Sequence, residues 1–378
     1  MTQWRCLFLL LLSLCTLSVQ AYEPAAIKHN GLEIVPSVNI NEEYNTNLRA
    51  QAEAEASWIT SVMPRVAIRA LGKTSVYELS YQLNLQYISA TATTLTSHNV
   101  QANAEVEFND RNRVALEAGI SAFQSPQNPY AQNQDLAFTE KRVSADYVYG
   151  AKTAKGNLGL GYEYLDYRSD NGLNQEQERT VHAANANFKY RLTPKTHLMS
   201  EVKVADYQYT TNTAQNNQEA EVILGASWEH TANLTRYAKL GRVYKQFEQA
   251  GKGRASINTW EVSSDWTPIE HTLVHFSTYH RLDEGSYGAD YVKDKAIIAN
   301  WQHDWSERLS TILGGSVQER DFAHQRKDDI QAVSMRVNYD LKRWLALTLE
   351  LKRVKQESSD QQFEYEQNVY RLGVDVSL

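Results

Sequence analysis

Few residue groupings in this sequence have the spacing that chemistry requires. Ten histidines are scattered along the chain, and none sits in a metal-binding spacing such as H-E-x-x-H. His271, His275 and His280 fall close together, and a β-strand would set His275 and Ser277 on one face. A Ser–His pair of that kind could attack an ester or a peptide. The plainer reading, polar side chains bathed by water, is preferred, and no residue is assigned a catalytic role. Nothing resembles a nucleophile elbow, a phosphate loop or a dinucleotide fingerprint, so no cofactor is expected. Both cysteines, Cys6 and Cys15, lie in the leader described below. The remainder has no thiolate nucleophile, no disulfide framework and no cysteine-based metal site.

The charged residues are more informative than the histidines. Glu78, Glu163, Glu201, Lys203, Glu221, Asp265, Arg336, Asp340, Glu350 and Lys352, with Arg371 and Asp375, recur at alternate positions between apolar neighbours. On the inner face of a closed sheet such charges could tune which ions or sugars pass. Equally, they could pair across neighbouring strands and fill the interior with fixed polar groups. Phe123, Tyr207, Tyr209 and Tyr279 fall out of the apolar phase of their segments. They either line an interior, where aromatic faces stack on sugars, or mark β-bulges. Asn212 and Gln215–Gln218, and the stretch 124–134, read as solvated loop tips rich in amides.

The elements that would position these residues are strands. Tyr77, Leu79, Tyr81, Leu83, Leu85 and Tyr87 are apolar or aromatic, and Glu78, Ser80, Gln82, Asn84 and Gln86 between them are polar. A strand puts each set on one face, whereas a helix would scatter them. The same period recurs in Val114–Ile120, Leu158–Tyr164, Ala184–Tyr190, Val222–Trp228, Val333–Tyr339 and Leu345–Leu351. About 18 such segments follow one another, roughly one per 20 residues, with 16 as the lower count because those around Val202, Leu240 and Val274 alternate poorly.

Connections alternate in length. Short ones fall at Leu71–Ser75, Asn109–Asn112, Leu192–Thr196, Glu229–Asn233, Asp304–Arg308 and Asp340–Arg343. Long polar ones fall at Asn41–Glu55, Gln124–Glu140, Ser169–Thr180, Thr210–Glu219, Asp283–Asp294 and Arg320–Asp329. Mean hydropathy is −0.54 and, past residue 21, no apolar run approaches the roughly 18 residues of a spanning helix. Both facts suit a membrane barrel: the backbone pairs fully only if the sheet closes, the outer face meets lipid and the inner face meets water. Tyr87, Tyr164, Tyr190, Trp228, Trp305 and Trp344 sit near segment ends, as interfacial girdles do. The fold expected is all-β, a transmembrane antiparallel up-and-down barrel of about 18 strands with short periplasmic turns and longer extracellular loops.

Residues 1–21 read as a secretory signal, with Arg5, an apolar core from Leu7 to Leu12 and a small-residue site at Val19-Gln20-Ala21. Residues 22–378 then form the barrel. The formal charge of −7 gives no basic footprint, so nucleic acid is not a partner. Arg371, Gly373, Val376 and Leu378 resemble the C-terminal β-signal read by the barrel-assembly machinery, although Leu378 stands where many such proteins carry Phe or Trp.

Ile34-Val35-Pro36-Ser37-Val38, followed by Tyr44-Asn45-Thr46-Asn47 and then Met63-Pro64-Arg65-Val66-Ala67-Ile68, resembles the β-barrel porins found with exopolysaccharide and capsule loci of Gram-negative bacteria. That resemblance implies an outer-membrane location and a part in moving exopolysaccharide or capsular polysaccharide to the surface, with periplasmic export proteins as partners. A general small-solute porin is the alternative, and the 124–140 connection is long enough to narrow a pore. An outer-membrane enzyme acting on lipid or peptide is the third class, with no residue cluster to carry it.

Overall fold

The computed structural model describes residues 26–128, 134–231, 234–323 and 325–377. The leader expected at residues 1–21 and the terminal Leu378 lie outside the described residues. A short strand β1 (Ile27–His29) hairpins onto β2 (Leu32–Asn45). Then come β3 (Ser57–Leu71), β4 (Ser75–Ile88), β5 (Thr93–Asn109), β6 (Asn112–Ser125), β7 (Leu136–Tyr149), β8 (Gly156–Ser169), β9 (Arg179–Thr193) and β10 (Thr196–Tyr209). The second half holds β11 (Asn217–Thr231), β12 (Leu234–Phe247), β13 (Arg254–Trp266), β14 (Thr272–Glu284), β15 (Tyr291–Ser306), β16 (Leu309–Phe322), β17 (Arg326–Lys342), β18 (Leu345–Ser358) and β19 (Tyr365–Ser377).

Each strand from β2 onward pairs antiparallel with the next, and β19 returns to β2 with Val369 opposite Asn45 and Ser377 opposite Ser37. Eighteen strands therefore close on themselves. Closure removes the unpaired edges that hydrocarbon would not tolerate. The weakly alternating segments around Val202, Leu240 and Val274 are full strands, β10, β12 and β14.

Among the described residues, register breaks occur only beside short turns, for example at Glu107/Asn109, Asp304/Ser306 and Asp340/Lys342. Because a strand has period two, an unbroken register keeps inner and outer phases fixed along each strand. Phe123, Tyr207, Tyr209 and Tyr279 accordingly stand on the inner phase with no bulge beside them.

The outer face bears a continuous apolar belt, including Tyr77, Leu79 and Tyr81 of β4, Leu224 of β11, Leu240 of β12 and Leu372 of β19, all exposed. At about 25 cal/mol per Å², leaving that belt in water would be costly, and lipid is the solvent that suits it. Near the turns it is edged by Tyr190, Trp305 and Trp344, and at the opposite end by Trp58 and Tyr87.

The loops are shorter than the sequence pattern suggests. The connections on the far rim run 46–56, 89–92, 126–135, 170–178, 210–216, 248–253, 285–290, 323–325 and 359–364. They remain longer as a set than the turns on the near rim, such as 110–111, 194–195, 307–308 and 343–344. The cause is strand height. A strand of 14 residues at ~3.3 Å rise and ~40° tilt stands roughly 35 Å tall, against a belt of about 25 Å. The upper few residues rise out of the membrane, and there the polarity of the two faces inverts. On β8 the outer phase turns from Leu158, Leu160 and Tyr162 to Asp166 and Arg168, while the inner phase turns to buried Leu165 and Tyr167. β10 repeats this with Asp206 and Gln208 outside and Tyr207 and Tyr209 inside. β12 does so in part, with Arg242 and Gln246 flanking Tyr244 outside and Val243 and Phe247 flanking the buried Lys245 inside.

Candidate functional site

The inner face of the barrel is the part of the molecule built to meet a solute. At membrane height it is lined by small and polar side chains. On β8, Gly159 and Gly161 face Asn187 and Asn185 of β9, and a Cβ at either glycine would run into the amide opposite.

The charged residues anticipated from the sequence stand on this face, mostly in pairs with cations on adjacent strands. Glu78 of β4 accepts from Arg69 at 2.6 Å and Arg65 at 3.3 Å, both on β3. Glu163 of β8 meets Arg142 of β7 at 3.4 Å. Lys203 of β10 lies 3.5 Å from Glu201 and 3.9 Å from Glu221 of β11. Arg336 of β17 donates to Glu350 of β18 at 2.9 Å, and Arg371 of β19 reaches the same carboxylate at 3.3 Å. Lys352 shares the phase of Glu350 and is half-buried; Asp340 stands at the turn end of β17, where its amide donates to the Arg308 carbonyl at 2.8 Å. An interior of this kind presents alternating signs with short-range fields, because most of these carboxylates have a nearby counter-charge.

Asp265 pairs with His275 across β13 and β14, at 2.6 Å. Ser277 lies opposite Ser263 and Ile298 in the register. Thus His275, the histidine set beside Ser277 by the sequence pattern, is held by a carboxylate at the turn end of the interior.

Three of the four C-terminal residues singled out from the sequence fall at the closing seam. Arg371 donates to Glu43 of β2 through Nε at 2.9 Å and Nη2 at 2.5 Å. Gly373 faces Asn41 of β2, and a Cβ there would stand 2.5 Å from its Oδ1. Val376 pairs with Val38. Leu378 lies outside the described residues. The Tyr44–Asn47 segment lies at the same seam. Gln367 of β19 donates to Asn45 at 3.1 Å and to the Asn47 carbonyl at 2.6 Å, and Asn47 donates to the Glu366 carbonyl at 3.1 Å. Tyr44 packs between Trp58 and Tyr370.

Sequence reasoning missed the second layer of the site, at the mouth. Glu284 at the end of β14 accepts from Lys245 of β12, from Tyr209 of β10 at 2.6 Å and from Asn217 of β11 at 3.3 Å. Lys245 is fully buried and also contacts Glu219 at 3.4 Å. At the same end of the barrel Phe138 and Tyr167 stack at 4.1 Å, with Arg179 lying 4.9 Å from the Tyr167 ring. The connection 126–135 touches three sectors of the rim. Asp135 pairs with Arg49 of the 46–56 connection at 2.8 Å, Asn128 reaches Asn174 of 170–178 at 3.4 Å, and its carbonyl accepts from Tyr287 of 285–290 at 3.0 Å. Those three connections are spaced six strands apart around the ring. Arg65 and Arg142 were legible from their inner phase; the mouth cluster joins residues remote in sequence and had no local signal.

No curated protein is significantly similar to the chain. Solved structures share its fold at low identity. OpdL of Pseudomonas aeruginosa is 11% identical with a TM-score of 0.53, and OccAB2 of Acinetobacter baumannii is 12% identical with a TM-score of 0.53. OccK2 (OpdF) of P. aeruginosa, solved in complex with glucuronate, is 12% identical with a TM-score of 0.54. Each match covers 92% of this chain and 98% of the other. With a closed 18-strand barrel, a lipid-suited belt and a polar interior on the page, the family model that matches residues 20–378 places the chain: it belongs to the family described as "Putative beta-barrel porin 2", and is an outer-membrane β-barrel porin.

Proposed function

We propose that the protein is a diffusion channel for small hydrophilic solutes across the outer membrane, with no catalysed step. The observation that carries the reading is the inner face: a predominantly polar phase through the membrane zone, most of its charges paired with opposite charges nearby. Such a wall offers water and hydrogen-bond partners without the strong single-sign field that would hold a solute in place. The rim connections are also too short to form a separate plug domain, the longest being 46–56 and 126–135. Glucuronate, bound in one structural neighbour, is a suitable test solute of this class.

Passage of an exopolysaccharide or capsular polysaccharide is the weaker reading. No feature of the interior singles out a polymer, and the Tyr287–Asn128 contact lies where a chain would have to leave. Delivery by the 1–21 leader, and insertion by the barrel-assembly machinery through Arg371, Gly373, Val376 and Leu378, complete the proposal. Purified protein in planar bilayers and in swelling liposomes is the test. Stepwise conductance and entry of pentoses, hexoses and glucuronate are expected. A protein that inserts and folds yet conducts nothing and admits none of these solutes would refute the channel reading.

A further inference from the structure

The connection 285–290 is short, and both of its ends are pinned. At one end Glu284 is held by Lys245, Tyr209 and Asn217. At the other, Asp290 pairs with Lys252 at 2.5 Å and accepts from Gln215 at 3.2 Å. Between them Tyr287 adopts φ +53° and Gly288 φ +82°. A tyrosine seldom enters that left-handed region, so contacts must hold it there.

Those contacts come from several connections. The Tyr287 ring meets Phe363 edge-on at 4.9 Å. The Arg326 guanidinium lies 4.5 Å from Tyr287, 4.0 Å from Phe322 and 3.4 Å from Phe363. Asp328 holds Arg326 from the other side at 3.1 Å. The Tyr287 hydroxyl then donates to the Asn128 carbonyl at 3.0 Å. Asn128 follows β6 and Tyr287 follows β14, eight strands apart in a ring of eighteen. At ~4.8 Å per strand such a barrel is roughly 30 Å wide, so both connections lean far inward to touch.

We propose that Tyr287 sets the size limit of the channel at its extracellular mouth. The 285–290 connection, braced at both ends, is a strap that Tyr287 fastens to the opposite connection. Compact hydrophilic solutes pass beside it, while larger oligosaccharides and extended chains are refused. The proposal rests on the small-solute reading above.

The test uses the full processed chain with Tyr287→Ala and Tyr287→Phe. Liposome swelling is read for arabinose, glucose, raffinose and stachyose, alongside single-channel conductance. Folding is checked by heat-modifiable gel mobility. The Ala variant loses both the ring packing and the hydroxyl bond. It is expected to raise the raffinose-to-arabinose swelling ratio and the conductance by about twofold or more, since flow depends steeply on the narrowest aperture. The Phe variant keeps the ring and should fall between Ala and wild type, and it guards against an Ala variant that fails to fold. Wild-type ratios in a folded Phe variant together with a folded or misfolded Ala variant would overturn the proposal while leaving the channel reading intact. No conductance in any protein would overturn the channel reading and the size limit with it. Conductance in the variants alone would overturn the size limit, because the wild type would then pass no compact solute beside the strap.

Discussion

The closing seam offers the sharpest perturbation. Arg371 of β19 makes two hydrogen bonds to one oxygen of Glu43, at 2.9 and 2.5 Å, and a third to Glu350 at 3.3 Å. Glu350 keeps a second cation in Arg336 if Arg371 is lost, so the damage falls on Glu43, whose side chain is 11% exposed. Leaving one partner of a buried pair uncompensated costs about 3–5 kcal/mol, and water in the interior lowers that toward about 2–3 kcal/mol. Arg371→Leu should therefore shift the folded-to-unfolded ratio by roughly 30- to 150-fold at about 1.4 kcal/mol per factor of ten. The assay is urea unfolding in detergent, followed by tryptophan fluorescence and by gel mobility of unheated samples. Arg371→Lys should restore only part of the loss, because an ammonium cannot keep the forked geometry. Glu43→Gln combined with Arg371→Leu should be less unstable than the sum of the singles, because no orphaned charge remains. Additive losses in the double variant would refute the argument that Glu43 and Arg371 act as one unit.

Three further outcomes follow from the two faces. Leu224→Arg places a cation in the middle of the lipid belt and should cost about 2–4 kcal/mol in a refolding titration; a cost under about 1 kcal/mol would contradict the belt's height. Tyr167→Ala removes a buried ring stacked on Phe138 and should cost about 3 kcal/mol, while Tyr164→Ala on the outer face should cost under about 1; thermal unfolding in detergent compares them. Glu78→Gln leaves Arg65 and Arg69 without their carboxylate and should move the zero-current potential in a salt gradient toward anion preference; an unmoved potential would show that this part of the wall does not meet the permeating ions.

Strand number and closure were legible because period two is a local property that lipid enforces on every strand. The exopolysaccharide association was legible only as resemblance, and neither the matched family nor the fold supplies it. Loop length was misread for a physical reason. The reading took polar outer-phase residues at strand tops as loop, such as Thr139 on β7, Lys293 on β15 and Lys327 on β17, whereas each strand continues there with its faces exchanging solvents. Tyr207 and Tyr209 looked like residues out of phase because an apolar inner face is unexpected at membrane height and natural above it. Two adjacent polar residues on the outer phase, with apolar ones beginning on the inner phase, are the signal that marks where a strand leaves the membrane.

The same inversion explains why the mouth holds chemistry that the membrane zone does not. Within the belt, the inner face has water and the outer face has lipid, so charges stay on one side and pair with neighbours one strand away. Above it, water wets the outside, and the inner side chains of β8 to β12 are free to pack on one another and on the rim connections. There a lysine can be buried, as Lys245 is, and it collects Glu219 and Asn217 from β11 and Glu284 from β14. Burying that many polar groups is tolerable only when each finds a partner, which fixes the geometry of whatever carries them. The piece carried is the 285–290 connection. A rigid mouth above a hydrated wall is thus the consequence of strands that are taller than the membrane they cross.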